Sequence, residues 1–478
     1  MNLTLNVAEN VFKLLIPAIE PLLASTKTIE LCGKPWILVD FEQLSDAPPY
    51  TCISYSWGSI KTINPLNNAL TISDRTLPVL ETVINAAKSS ECQDAEMKSF
   101  FHTKSKLSDK IELVRNASDA IWIDAICSTQ EQEATDGCFH YMGGIYKAAA
   151  QVFVVLKDNC TDIVRKVHSK ESLNTNDYLM LASDDWIDRV WTYQEFVNSK
   201  LSFWVAEGKG STFVSELNFL CALMSDTAAY SNYPDIKLIQ KLERAQLLLA
   251  AQQMPEQSVF KAMAAINRRS STRPDDCINA LISVILDDHT SVVERNLSTS
   301  NEYLMRVCED NDDYSFIFST NPRSDVLGRT WRPLDDEVIT PVISDILANG
   351  SGLSGSLHNT HLQMNNMCRM LTGKSNNVTS AIASLLKADF PKEILERLRQ
   401  RGFTGCGECL KLEYGYFFPQ SPHKRSKDLF VVVSHNLKFH AGAPGLLLRS
   451  NGTDINQFCD TGVFIGRAPA ISETINVS

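Results

Sequence analysis

The chain has 478 residues, of which 21% are charged and 44% apolar, and its net charge is −11. This composition excludes a disordered, fibrous or multispanning membrane protein. The acidic balance argues against nucleic acid as a partner, because a phosphate-backbone binder needs a positive excess.

The 13 cysteines follow no repeating spacing. That is unlike the dense, even-numbered framework of a small secreted domain, and it points to reduced thiols in a cytoplasmic protein. At roughly 150 residues per domain, the length suggests about three domains. Their expected order is an N-terminal helical arm over 1–29, a first domain over 30–205, a helical segment over 206–290 and a C-terminal region over 291–478. Residues 11–24 (VFKLLIPAIEPLLA) are apolar-rich but interrupted by Lys13 and Glu20. They are too short and too charged for a membrane span and lack the basic start of a signal peptide. The spacing predicts an amphipathic helix there.

Four short β-like runs follow: Thr51 to Tyr55, Ile121 to Ile123, Val152 to Leu156 and Leu201 to Val205. All are dense in β-branched and aromatic residues. The third is continuously apolar, as a strand covered on both faces must be. Helical patterns separate them at 77–89, 139–150 and 186–198. Alternating strands and helices predict an α/β fold with a parallel sheet flanked by helices. From 236 to 254 no Gly or Pro occurs and helix formers dominate. Pro274-Asp275-Asp276 predicts the start of another helix. Residues 348–360 read as a Gly/Ser-rich loop, and 390–402 as a helix closed by Gly402. The remaining sequence reads as strands of a smaller α+β C-terminal region.

Three motifs carry little chemistry. Gly373-Lys374-Ser375 lacks the glycine a phosphate loop needs five positions earlier, where Cys368 stands. Cys406 and Cys409 form a lone CxxC, and nothing fixes His358, His361 or Cys368 as completing ligands, so no metal site is expected. Lys424-Arg425 is too short for a nucleic-acid patch.

Three blocks stand together in the first domain. They are YTCISYSWG from Tyr50, IWIDAICSTQ from Ile121 with MGGIYKA from Met142, and WIDRVWTYQE from Trp186. In order and spacing they resemble the fungal heterokaryon-incompatibility (HET) domain, with its "SYxWG", "WIDxxCINQ", "M…IY…A" and "RxWTxQE" pattern. Arg269 to Asp275 (RSSTRPD), with Ala280 and Leu281, resembles a helical segment often found downstream in that family. Trp331-Arg332-Pro333 resembles its later "SWxPD" block. Ser128 and Thr129 depart from the usual Ile and Asn, and Ser283 from the usual Gly.

HET domains are similar in turn to the Toll/interleukin-1 receptor (TIR) fold. The resemblance implies a TIR-like parallel sheet and a role in programmed cell death after non-self recognition. It also implies self-association and, by analogy with catalytic TIR domains, cleavage of NAD(P) as substrate. Glu195 matches the position of their essential glutamate. A non-catalytic, self-assembling signalling module is the alternative.

In an open parallel sheet, ligands sit beyond the carboxyl ends of the strands. Ser54, Tyr55, Trp57 and Gly58 end the first strand, and Asp124 and Cys127 the second, so both blocks should line one rim. On one helix, Asp188, Trp191, Thr192 and Glu195 would share a face. Trp191 then offers a flat surface to a base or forms core. Glu195 accepts ribose hydroxyls and stabilises positive charge as the nicotinamide bond breaks. Nicotinamide leaves readily, so no cofactor is required. Arg189 either holds the phosphates or pairs with Asp184, Asp185 or Asp188. Asp124 lines the site or caps a turn, and Trp57 lines the rim or packs. Cys127 has no base beside it and is not read as a catalytic thiol.

Overall fold

A computed structural model describes residues 12–19, 26–88, 119–128, 138–225 except 209 and 211, 241–251 except 243, 246, 249 and 250, 258–285 except 268, 272 and 274, and 300–478 except 335–337, 345–346, 351, 374, 388–391, 406, 424–425 and 440. The chain forms two compact units. The first comprises Met1–Leu249 with Arg269–Ser271, and the second Ala250–Arg268 with Thr272–Ser478.

The first unit is built on an eight-stranded sheet. Its strands are β1 (Phe12–Pro17), β2 (Ile29–Leu31), β3 (Lys34–Phe41), β4 (Thr51–Tyr55), β7 (Ile121–Trp122), β8 (Gln151–Leu156), β9 (Ser202–Ala206) and β10 (Phe213–Ser215). They lie in the order β10-β9-β8-β4-β7-β1-β3-β2. The four expected strands, β9, β8, β4 and β7, run parallel at the centre. Every residue of β8 is buried, as the unbroken apolar run from Val152 to Leu156 requires of a strand between two others and two helical layers. A separate hairpin, β5 (Lys61–Asn64) with β6 (Asn67–Ser73), follows β4.

Two expectations are corrected here. Phe12–Pro17 is a strand rather than part of a helical arm: it pairs antiparallel with β3 along its whole length and with β7 at Leu15. Leu14 and Leu15 are fully buried, and sheet pairing overrides the local helical pattern. In addition, Phe213–Ser215, inside the expected helical segment, adds an antiparallel edge strand beside β9.

Helices cover the sheet: α1 (Thr76–Ala87), α2 (Asp124–Cys127), α3 (Cys138–Ala148), α4 (Thr161–His168), α5 (Thr175–Ala182), α6 (Val190–Val197) and α7 (Glu216–Ser225). Val79, Leu80, Val83 and Ile84 form the buried stripe of α1. They pack into one core with Ile53, Trp122, Phe153 and Phe203. Trp186–Asp188 forms a 3-10 turn, and Arg189 has extended backbone (φ −81°, ψ 143°) before α6 begins. The expected single helix over 186–198 is thus broken at Arg189. Asp188 leaves the shared face, while Trp191, Thr192 and Glu195 remain on α6.

The second unit carries helices α8 (Val259–Ile266), α9 (Asp275–Ile285), α10 (Ser300–Asp310), α11 (Val378–Lys387) and α12 (Lys392–Gln400). Its strands are β11 (Leu347–Gly350), β12 (Gly355–Leu357), β13 (Leu362–Leu371), β14 (Ser375–Asn377), β15 (Glu408–Leu412), β16 (Gly415–Pro419), β17 (Leu429–Ser434), β18 (Leu437–Phe439), β19 (Gly442–Arg449), β20 (Ile455–Gly466) and β21 (Glu473–Val477). Pairing runs β19-β17-β13-β21-β20, and β20 also pairs with β19, which closes a barrel. The expected loop at 348–360 therefore holds strands β11 and β12. Gly402 closes the expected helix at φ +81°, the left-handed conformation glycine tolerates. No helix among the described residues is long and apolar enough to cross a membrane.

Candidate functional site

Strand β4 carries the centre of the site. Successive side chains of a strand alternate in direction, and at the penultimate position Ser54 is fully buried. Its Oγ donates to Glu195 Oε2 at 2.5 Å and accepts from Trp186 Nε1 at 2.7 Å. The first and third sequence blocks therefore meet. One turn of α6 separates Trp191 from Glu195; Trp191 is half-buried and Glu195 only 6% exposed.

The second block joins through Asp124, the first residue of α2. Its Oδ2 accepts from Trp57 Nε1 at 2.8 Å and its Oδ1 from the Ala125 amide at 2.7 Å. Asp124 thus both starts a helix and holds the Trp57 ring, which is 36% exposed. Arg189 donates to the Tyr55 carbonyl at 3.4 Å. The expected ion-pair partners of Arg189 are engaged elsewhere. Asp184 accepts from the Lys157 and Trp186 amides, Asp185 pairs with Lys157, and Asp188 pairs with Lys241 and Arg244.

The remaining expected residues take other positions. The Tyr55 ring is buried, with its hydroxyl 2.9 Å from Thr76 Oγ1. Gly58 packs against Asp74: a Cβ would stand 1.8 Å from Asp74 Oδ1, so a side chain there requires that carboxylate to move. Cys127 points into the core, donating to the Ile121 carbonyl and accepting from the Ile123 amide. Burial pushes its thiol up to about 12, so it is no nucleophile. Thr129 lies outside the described residues. So do Cys406, Lys374 and the Lys424-Arg425 pair. Cys409 donates to the Asn376 carbonyl, and the His358 and His361 rings stack on each other.

The electrostatics centre on Glu195. Burial raises its carboxyl to about 8; the Ser54 hydrogen bond and Arg189 oppose that rise, and Asp124 adds to it. Asp124 is also raised by burial, against the Trp57 and Ala125 hydrogen bonds and Arg189. Two carboxyls in one partly desolvated place hinder each other's ionisation. Such a pair under an arginine can hold or move a proton near neutral pH.

Several contributors went unnoticed in the sequence. Trp186 was visible in its block but had no role. Arg75 donates to the Ser56 carbonyl and hydroxyl at 2.7 and 2.6 Å and pairs with Glu207 at 2.7 Å, bracing the end of β4. Tyr146 of α3 donates to the Ile53 carbonyl at 3.0 Å.

Residues 269–271 hold the start of α6. The Val190 amide donates to the Ser270 carbonyl at 3.0 Å, and Arg269 donates to the Arg189 carbonyl and Thr192 Oγ1 at 3.1 and 3.2 Å. The helix has no side-chain cap of its own, and this segment replaces it.

Residues 50–195, the stretch that contributes Ser54, Asp124 and Glu195, match the family of heterokaryon incompatibility (HET) proteins. The chain carries a HET domain. A HET domain implies a role in heterokaryon incompatibility and the associated cell death. No curated protein and no solved structure matches the chain. The matched stretch of the HET domain ends at Glu195, while the Arg269–Ser271 clasp on its last helix lies beyond it.

Proposed function

We propose that the HET domain of this chain drives cell death by cleaving the nicotinamide–ribose bond of NAD(P), with Glu195 as the catalytic carboxylate. The observation that carries this reading is the meeting of Ser54 and Glu195 at 2.5 Å, with Asp124 and Arg189 close enough to shift the same carboxyl. As the C1′–N1 bond breaks, its electron pair leaves with neutral nicotinamide and the ribose gains oxocarbenium character. An ionised Glu195 stabilises that charge in a low-dielectric setting, and water then attacks C1′ and loses a proton. Trp57 offers a partly exposed ring for stacking, and Arg189 a cation for the phosphates. Cleavage by associated copies fits the self-association that the TIR resemblance implies.

A non-catalytic self-assembling module is the second reading. It is favoured by the burial of Glu195 and by the engagement of Oε2 with Ser54, both of which suit a structural carboxyl. Purified full-length chain incubated with NAD or NADP, with and without a crowding agent, tests the choice by chromatography of free nicotinamide. Release above the blank supports the enzyme. No release under either condition supports the module.

A further inference from the structure

We propose that Trp186 is a positioning residue for Glu195: its indole N–H fixes the direction of the Ser54 hydroxyl, which leaves Oε1 of Glu195 as the carboxyl oxygen that gains and loses the proton. This rests on the reading of Glu195 as the reacting carboxylate.

An indole N–H only donates, whereas a hydroxyl has one proton to give and two lone pairs. Trp186 Nε1 lies 2.7 Å from Ser54 Oγ, so the hydroxyl proton cannot point at the indole. Glu195 Oε2 lies 2.5 Å from the same Oγ. Directing the proton to Oε2 satisfies all three side chains. A proton on Oε2 would instead turn the Ser54 hydroxyl away, and among the described residues it meets no other acceptor. That leaves a buried O–H unpaired, which is costly. Oε2 is therefore the fixed acceptor, and Oε1, which has no partner among the described residues and is not among their sealed unpaired polar atoms, is the oxygen that can exchange its proton with solvent. The donation from Trp186 also polarises Ser54 and strengthens its bond to the carboxylate.

The indole cannot swing out of this role. Trp186 is fully buried. Its ring meets Phe196 and Trp204 edge-on, with centroids 6.2 and 4.7 Å apart. Its backbone is held at both ends, the amide by Asp184 Oδ1 and the carbonyl by Thr192 Oγ1, each at 2.7 Å. The geometry is set before any ligand arrives. The charged and titratable groups facing Glu195 are Asp124 from α2, Arg189 before α6, Cys52 from β4 and Tyr146 from α3. Among the described residues, Ser54 is the group that hydrogen-bonds the carboxyl.

The test is a carbon-13 NMR titration of the full chain labelled at glutamate carboxyls. The Glu195 signal is assigned by its loss in Glu195→Gln. Ser54→Ala should move the Glu195 midpoint upward. Trp186→Phe should move it in the same direction by a smaller amount, on the order of half a unit. β-(3-Benzothienyl)alanine installed at position 186 keeps the bicyclic ring without the N–H, and it should reproduce the shift with packing intact. An unchanged midpoint in that variant overturns the assignment. The titration needs no substrate, so failure of the cleavage reading shows separately, as absent nicotinamide release from a wild-type chain whose variants still shift. Where release occurs, the Trp186 variants should move the pH–rate midpoint upward.

Discussion

Ser54 and Glu195 are 141 positions apart in the chain, and their side-chain oxygens are 2.5 Å apart. This contact ties the central strand of the sheet to helix α6. It also sets how stability responds to replacing Glu195. A solvated rim residue exchanged for its isostere would leave stability almost untouched. The carboxyl is instead buried and raised from 4.5 to about 8.

That shift has a sign. Between pH 4.5 and about 8 the folded chain keeps a proton that the unfolded chain has lost. The associated stability is fully present below pH 4.5 and is lost as pH rises through about 8. Glu195→Gln removes the loss. The variant should match wild type near pH 4.5 and exceed it at pH 9 by up to about 5 kcal/mol, at about 1.4 kcal/mol per unit. Denaturant melts across this range check it; a constant difference would show that Glu195 titrates normally.

Cysteine reactivity should follow burial. Cys221 is exposed, whereas Cys52 and Cys127 are buried with raised thiols. Iodoacetamide at pH 8, followed by peptide mass spectrometry, should label Cys221 in minutes and Cys52 and Cys127 after denaturation alone. Early labelling of Cys127 would contradict its placement in the core.

The barrel of the second unit closes where Gly445 pairs with Gly462. A Cβ on Gly462 would stand 2.3 Å from the Phe418 carbonyl oxygen and 2.5 Å from Phe417 Cζ. Backbone cannot yield as an exposed side chain does, so Gly462→Ala should cost about 2–4 kcal/mol. Gly452→Ala, in a turn with open space but positive φ, should cost about 1 kcal/mol. Equal melting curves for the two variants would refute the close approach.

The central sheet was legible because β8 announces itself: an unbroken run of buried apolar residues has one place to go. Helix α1 was legible from its stripe. β1 was not. Its three apolar residues at 14–16 beside Lys13 fit either period, and pairing with β3 decides the matter. The break at Arg189 was hidden for a similar reason. Backbone from Ser270, far downstream, takes the hydrogen bonds that a continuous helix would have made. The three site blocks were readable as sequence. That Trp186 uses its indole N–H on Ser54 was not, because nothing local distinguishes it from a core tryptophan.

If the ionised form of Glu195 acts, NAD cleavage should rise with pH to a midpoint near its raised value of about 8. A flat profile from pH 6 to 9 would assign the rate to another group.

The most direct measurement compares nicotinamide release from NAD by wild type and Glu195→Gln at pH 8.5, each with its melting temperature. The account predicts release by wild type, a loss on the order of 100-fold or more in the variant, and a variant that melts no lower. Equal release would contradict it.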